Sequence, residues 1–148
     1  MPEKVRVFLD TSALFAGIWS AEGGARMILK LGEAEAVKVL VSSQMLSEIE
    51  NVLRRKAPAS LGLLAVLLDR SGVEVAPSPP PEIIQQSEAV TGHASDAYVL
   101  AAAWLAKVDY LVTLDRQHFL DNPAVRTVTP FPIGTPGDFL AWYRARLS

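Results

Sequence analysis

The feature that most constrains this chain is a repeated handover from a short apolar run to a helix-starting residue. Val5-Arg6-Val7-Phe8-Leu9 is short, β-branched and aromatic, as a buried strand is, and it stops at Asp10-Thr11-Ser12, three good helix-capping residues in succession. Val37-Lys38-Val39-Leu40-Val41 does the same before Ser42-Ser43, and Tyr110 to Leu114 does so before Asp115. Between these runs the apolar residues recur at helical spacing: Ala25 to Leu31, then Met45, Leu46, Ile49, Val52 and Leu53 within Gln44 to Lys56, then Ala59 to Asp69. A helix over Glu82 to Val90, a break at Thr91-Gly92-His93 and an Ala-rich helix over Ser95 to Lys107 follow. Short strands are expected near Val73 to Val75 and, at an edge, over Val125 to Val128, and Thr135-Pro136-Gly137-Asp138 reads as a helix start with a cap, an N1 proline and an acidic third residue.

Strands that alternate with helices imply an α/β fold. The expectation is a three-layer α/β/α arrangement with a mostly parallel sheet of about four or five strands, helices covering both faces, and a ligand site outside the carboxyl ends of the strands. The length of 148 residues suits a single domain over 1–148, able to bury roughly 70% of its unfolded surface. Pro77-Ser78-Pro79-Pro80-Pro81 is a stiff loop rather than a domain boundary.

Composition narrows the chemistry. With no cysteine, disulfides and thiolate metal sites are excluded, so any metal would be a hard one held by carboxylates, histidines, hydroxyls or carbonyls. No apolar stretch reaches the ~20 residues needed to span a bilayer, and Met1 to Asp10 lacks the form of a signal peptide, so a cytoplasmic protein without a membrane partner is expected. A formal charge of −2 offers no general attraction to a polyanion. Divalent cations at an acidic site would reverse that locally.

Four carboxylates fall where the topology would gather them. Asp10 and Asp115 each follow a predicted strand, and Asp96 lies in the first turn of a helix that returns antiparallel to the strands, which brings its start to the same edge. Glu48 lies ~7.5 Å along the helix that leaves the second strand. Taken singly, Asp10 is a helix cap, Asp96 a complement to the macrodipole and Asp115 a turn residue, while Glu48 and Glu50 are equally placed on the margins of an apolar face. Taken jointly, converging carboxylates repel and call for a hard cation such as Mg²⁺ or Mn²⁺, one or two ions, able to activate water for attack on phosphorus.

The stretches Val7-Phe8-Leu9-Asp10-Thr11-Ser12, Asp96-Ala97-Tyr98-Val99-Leu100-Ala101-Ala102-Ala103 and Val108-Asp109-Tyr110-Leu111-Val112-Thr113-Leu114-Asp115 resemble PIN-domain sequences, and Ser43 to Leu53 resembles the helix carrying that family's second acid. The start of the C-terminal helix, Thr135-Pro136 through Leu140, fits as well, so the likeness spans nearly the whole chain. It favours Glu48 over Glu50 and implies a metal-dependent ribonuclease, related to flap nucleases, often the toxin of a bacterial toxin–antitoxin pair and commonly a homodimer. By position, Asp10, Glu48, Asp96 and Asp115 match the metal-binding acids. Ser12 and Thr113 could support the metal shell, with structural hydrogen bonds as their alternative role. Arg116 could contact phosphate, and Arg54-Arg55-Lys56 could border a nucleic-acid path or complement a helix end.

The function expected on these grounds is hydrolysis of single-stranded RNA by metal-activated water. The alternatives are an inert PIN-like module binding RNA or a protein, and a DNA-directed structure-specific nuclease. A phosphatase using Asp10 would need a second Asp where Ser12 stands, and Gly23-Gly24 does not form a dinucleotide-binding pattern. His93 and His118 are read as surface or loop residues, His93 the closer in sequence to Asp96. The apolar face of the first two helices is a candidate dimer interface, with burial of the same residues in a monomeric core as the alternative.

Overall fold

A computed structural model describes residues 3–147, apart from the side chains of Ala94 and Ser95; Met1 and Pro2, at the start of the N-terminal stretch considered above as a leader, lie outside it. Five strands form one sheet: β1 (Val5–Leu9), β2 (Val37–Ser42), β3 (Glu74–Ala76), β4 (Tyr110–Val112) and β5 (Ile133–Gly134). Their spatial order is β3-β2-β1-β4-β5, and each neighbouring pair is parallel. Successive strand residues point to opposite faces, yet Val7, Phe8 and Leu9 are all fully buried, as are Val39, Leu40 and Val41. Both faces of the sheet are therefore covered, and near-continuous apolar strands are what such burial requires.

The covering helices are α1 (Thr11–Trp19), α2 (Gly24–Glu33), α3 (Ser43–Lys56), α4 (Leu61–Arg70), α5 (Pro81–Thr91), α6 (Ala94–Leu105), α7 (Pro123–Val128) and α8 (Pro136–Leu147). The cap signals work as read. Asp10 accepts from the Ala13 amide, Ser42 from the Met45 amide, and Thr135 and Asp138 exchange reciprocal side-chain to backbone bonds at the start of α8. Gly92, at φ 73°, closes α5 in the left-handed conformation that glycine tolerates best.

Three expectations need correction. Val125 to Val128 belongs to α7, not to an edge strand, because Asn122 accepts from the Val125 amide and Pro123 occupies the first helical position; the edge strand is Ile133–Gly134, paired with Leu111–Val112. The strand expected over Tyr110 to Leu114 ends at Val112, whose ladder partners Leu9 and Gly134 are the last residues of β1 and β5. The helix expected from Ala59 opens instead as a 3₁₀ turn at Pro58–Ser60 before α4 begins. The apolar faces of α1 and α2 are largely consumed by the core, through Leu14 and Ile18 on one and Ile28 and Leu29 on the other, leaving Trp19 and Met27 exposed.

Strand β1 is the centre of the sheet. The chain proceeds from it to β2 and β3 on one side, then crosses to β4 and β5 on the other, so the order reverses between β1 and β4. In open parallel sheets that reversal leaves a crevice at the carboxyl ends of the strands, because the flanking connections diverge there.

Candidate active site

The crevice is a cleft of about 390 Å³, and Asp10, Glu48, Asp96 and Asp115 all line it, with Ser12, Phe15 and Phe119 among the other wall residues. Register explains the first contact: Leu9 pairs with Val112, so the next residues, Asp10 and Thr113, leave adjacent strands side by side, and the Asp10 amide donates to the Val112 carbonyl at 3.1 Å. Asp10 is buried. Its Oδ1 accepts from Ser12 Oγ at 2.7 Å and the Ala13 amide at 3.0 Å, and its Oδ2 accepts from the hydroxyl of Thr113, which is wholly buried. Thr113 Oγ1 in turn accepts from the Asp115 amide at 3.0 Å, and Ser12 Oγ from the Leu114 amide at 3.0 Å. Two hydroxyls thus fasten the β1–α1 junction to the segment after β4, which is the structural role open to Ser12 and Thr113. Burial pushes the Asp10 carboxyl above its ordinary value, against the pull of these hydrogen bonds.

Asp96 comes from the first turn of α6, whose start reaches the same edge before the helix returns toward β4. It is 9% exposed, and its Oδ2 is buried without a hydrogen-bond partner. His118 Nδ1 stands 3.3 Å from that oxygen and His93 Nδ1 3.7 Å, within ion-pair range but outside hydrogen-bond geometry. Burial raises the Asp96 carboxyl, and the nearby Asp115 charge adds to the rise against the pull of His118.

Asp115 caps a single wide helical turn, Arg116–Leu120, accepting from the His118 amide at 3.1 Å on Oδ1, while its Oδ2 lies 2.9 Å from His118 Nδ1. Partial burial would raise this carboxyl too, but the His118 amide and ring together hold it below its ordinary value, and the bond to Asp115 raises the imidazole in return. Glu48 is exposed on the α3 wall and, among the described residues, makes no hydrogen bond or ion pair; Glu50 is not part of the lining.

The structure brings together the four acids and Ser12; Thr113 lies behind the wall. Arg116, 73% exposed, pairs loosely with Asp121 at 3.7 Å. Arg54 and Arg55 bond to Asn51 near the far end of α3 and do not line the cleft. Sequence reasoning missed two features. His118, read as a surface or loop residue, is half-buried and faces both Asp115 and Asp96, closer to the latter than His93 is. Its position three residues beyond a capping Asp was the available signal. Phe15, on the cleft wall, stacks on Trp19 with ring centroids 4.8 Å apart, and Trp19 is 58% exposed. Their i, i+4 spacing on α1 is the signal that could have found the pair.

The residues fit a divalent cation: the donors are mostly carboxylate oxygens, two of the carboxyls are desolvated, and one buried oxygen lacks a partner. The chain is thus an α/β protein with an acid-lined cleft at the switch point of a parallel sheet. Residues 6–117 match the family model described as PIN domain, and the chain belongs to the PIN-domain family. Two solved structures share the fold. PAE2754 from Pyrobaculum aerophilum aligns at TM-score 0.66 and 20% identity, covering 95% of this chain and 96% of that one. VapBC2 from Rickettsia felis, solved bound to a DNA fragment from its promoter, aligns at TM-score 0.67 and 14% identity, covering 88% and 98%. Among curated protein sequences nothing matches. No helix among the described residues is long and apolar enough to cross a membrane.

Proposed function

We propose that this chain is a metal-dependent endoribonuclease that hydrolyses single-stranded RNA, with Asp10, Glu48, Asp96 and Asp115 holding one or two Mg²⁺ or Mn²⁺ ions. The observation that carries the reading is that four acids from four separate segments line one cleft while a buried Asp96 oxygen has no hydrogen-bond partner. Membership of a nuclease family supports it. When bound, a divalent cation supplies Lewis acidity, an activated water near neutral pH and positive charge where a phosphate must approach. The chain's own residues prepare for this: Thr113 and Ser12 fix the Asp10 carboxylate, and the turn after Asp115 fixes that carboxylate through the His118 amide.

Single strands suit the approach to the site. The Phe15–Trp19 stack joins the cleft wall to an exposed aromatic face, and unpaired bases stack on such faces whatever their identity. A duplex keeps its base faces covered. The reading extends to the whole chain as one folding unit, since α8 lies beyond the family match yet buries Phe139 completely against Tyr110 of β4.

A toxin role with an antitoxin protein as partner is favoured by the likeness to VapBC2, and a homodimeric state and a cytoplasmic location are proposed alongside it. Co-expression with the product of an adjacent gene, followed by sedimentation of the purified protein, tests partner and dimer together.

The direct test incubates the purified chain with labelled single-stranded RNA in Mn²⁺ or Mg²⁺, with EDTA and an Asp96→Asn variant as controls. Metal-dependent cutting abolished in the variant is expected. Activity within a few-fold of wild type in Asp96→Asn would refute the assignment, and cutting of DNA in preference to RNA would redirect it to a DNA substrate.

A further inference from the structure

The acids do not form the tightest cluster in the cleft by themselves. A carboxylate oxygen each of Asp96 and Asp115 and a ring nitrogen of His118 lie within 4.8 Å of one another, and His118 Nδ1 is 2.9 Å from Asp115 Oδ2 and 3.3 Å from Asp96 Oδ2. We infer that His118 is a direct ligand of the cation, making the site a mixed oxygen and nitrogen site that favours transition ions over Mg²⁺. The inference rests on the reading that the cleft holds a divalent cation.

Geometry supports it first. Donors placed ~2.1 Å from an octahedrally coordinated ion are about 3.0 Å from their neighbours in the coordination sphere. The 2.9 and 3.3 Å separations from Nδ1 bracket that value, and the three donors all lie within 4.8 Å of one another, so one cation could take them after a modest closing of the site. Hydrogen bonding accounts for only half of the arrangement: the contact with Asp115 qualifies as a bond, while Asp96 Oδ2 remains buried and unpartnered although Nδ1 is 3.3 Å away. A nitrogen that turns toward two carboxylates and bonds properly to one is placed as a ligand would be.

The ring is also held. Its residue follows the capping Asp115 by three positions, so the amide bond to Asp115 Oδ1 fixes the backbone, and Asn122 Nδ2 donates to the His118 carbonyl at 3.1 Å. Ligand preorganisation of this kind is what supporting interactions provide in metal sites. The chemical consequence follows from ligand preference. Mg²⁺ favours oxygen donors and keeps its waters, whereas imidazole nitrogen suits transition ions such as Fe²⁺ and Zn²⁺, with Mn²⁺ at the weak end of that series, so a histidine in the coordination sphere favours transition ions over Mg²⁺.

The test loads the full chain with Mn²⁺ and records pulsed electron paramagnetic resonance, using protein carrying natural-abundance or ¹⁵N-labelled histidine. Nitrogen modulation that changes frequency with the label, persists in His93→Gln and vanishes in His118→Gln is expected, and calorimetry should show Zn²⁺ affinity falling at least ~10-fold in His118→Gln while that for Mg²⁺ changes much less. Mn²⁺ binding without histidine nitrogen coupling in the wild-type protein would overturn the histidine's role and leave the metal reading standing. No Mn²⁺ binding at all would overturn both.

Discussion

Replacing Thr113 by valine removes one hydroxyl and almost no volume, at a position that is fully buried. That hydroxyl makes two bonds, donating to Asp10 Oδ2 and accepting from the Asp115 amide at 3.0 Å. A bond to a carboxylate contributes about 1.5–3 kcal/mol and one between neutral groups about 0.5–1.5, so Thr113→Val should cost about 2–4.5 kcal/mol of stability. Thr113→Ser keeps the hydroxyl and deletes a methyl, which should cost only ~1 kcal/mol. Urea denaturation of the metal-free proteins measures both. The pH dependence has a definite sign. Burial raises the native Asp10 carboxyl above the unfolded 3.8, so its contribution is fully present below that value and is lost as pH rises through the native one. The Thr113 bond favours the ionised form and offsets part of that loss, so the valine penalty should grow as pH rises. A Thr113→Val protein within 0.5 kcal/mol of wild type, on the order of a routine surface substitution, or one no less stable than Thr113→Ser, would refute the claim that this hydroxyl ties the two site segments together.

Three further outcomes are expected. Trp19→Ala should weaken binding of single-stranded RNA by ~1–3 kcal/mol in fluorescence anisotropy, with Mn²⁺ affinity unchanged in calorimetry; undiminished RNA binding would remove the aromatic pair from the substrate path. The increase in melting temperature produced by Mn²⁺ should be larger at pH 8 than at pH 5, because burial raises both Asp10 and Asp96 and a cation must displace whatever protons they carry. An increment that stays level or shrinks with pH would contradict their placement as ligands. Phe139→Ala should cost ~3–5 kcal/mol in chemical denaturation, a wholly buried ring being lost from the Tyr110, Trp142 and Tyr143 cluster. A loss under 1 kcal/mol would mean that α8 is an appendage rather than part of the core.

How far the sequence could be read follows from which interactions are local. A strand that ends in a capping residue is a local pattern, so β1, β2 and β4 were legible together with the acids at or beside their ends, and parallel topology did the rest by placing Asp10 beside Thr113 in register. Val125 to Val128 misled because β-branched composition outweighed a cap and an N1 proline, two short-range signals that the folded chain obeys. Among short apolar segments, end chemistry decided the element where residue preference did not.

His118 marks the opposite limit. Nothing about its spacing from Asp96 signals contact, since the two residues stand on either side of β4 and meet only when α6 and the turn after Asp115 are brought to the same edge. Its pairing with Asp115, by contrast, is local and follows from the cap. The cleft therefore contains two kinds of anchorage: the strand-end acids placed by the sheet, and a histidine placed by a turn that one of those acids itself nucleates. Changing Asp115 should accordingly remove more than one carboxylate from the site, because the same substitution releases the turn that positions His118, whereas changing Asp96 leaves that turn intact.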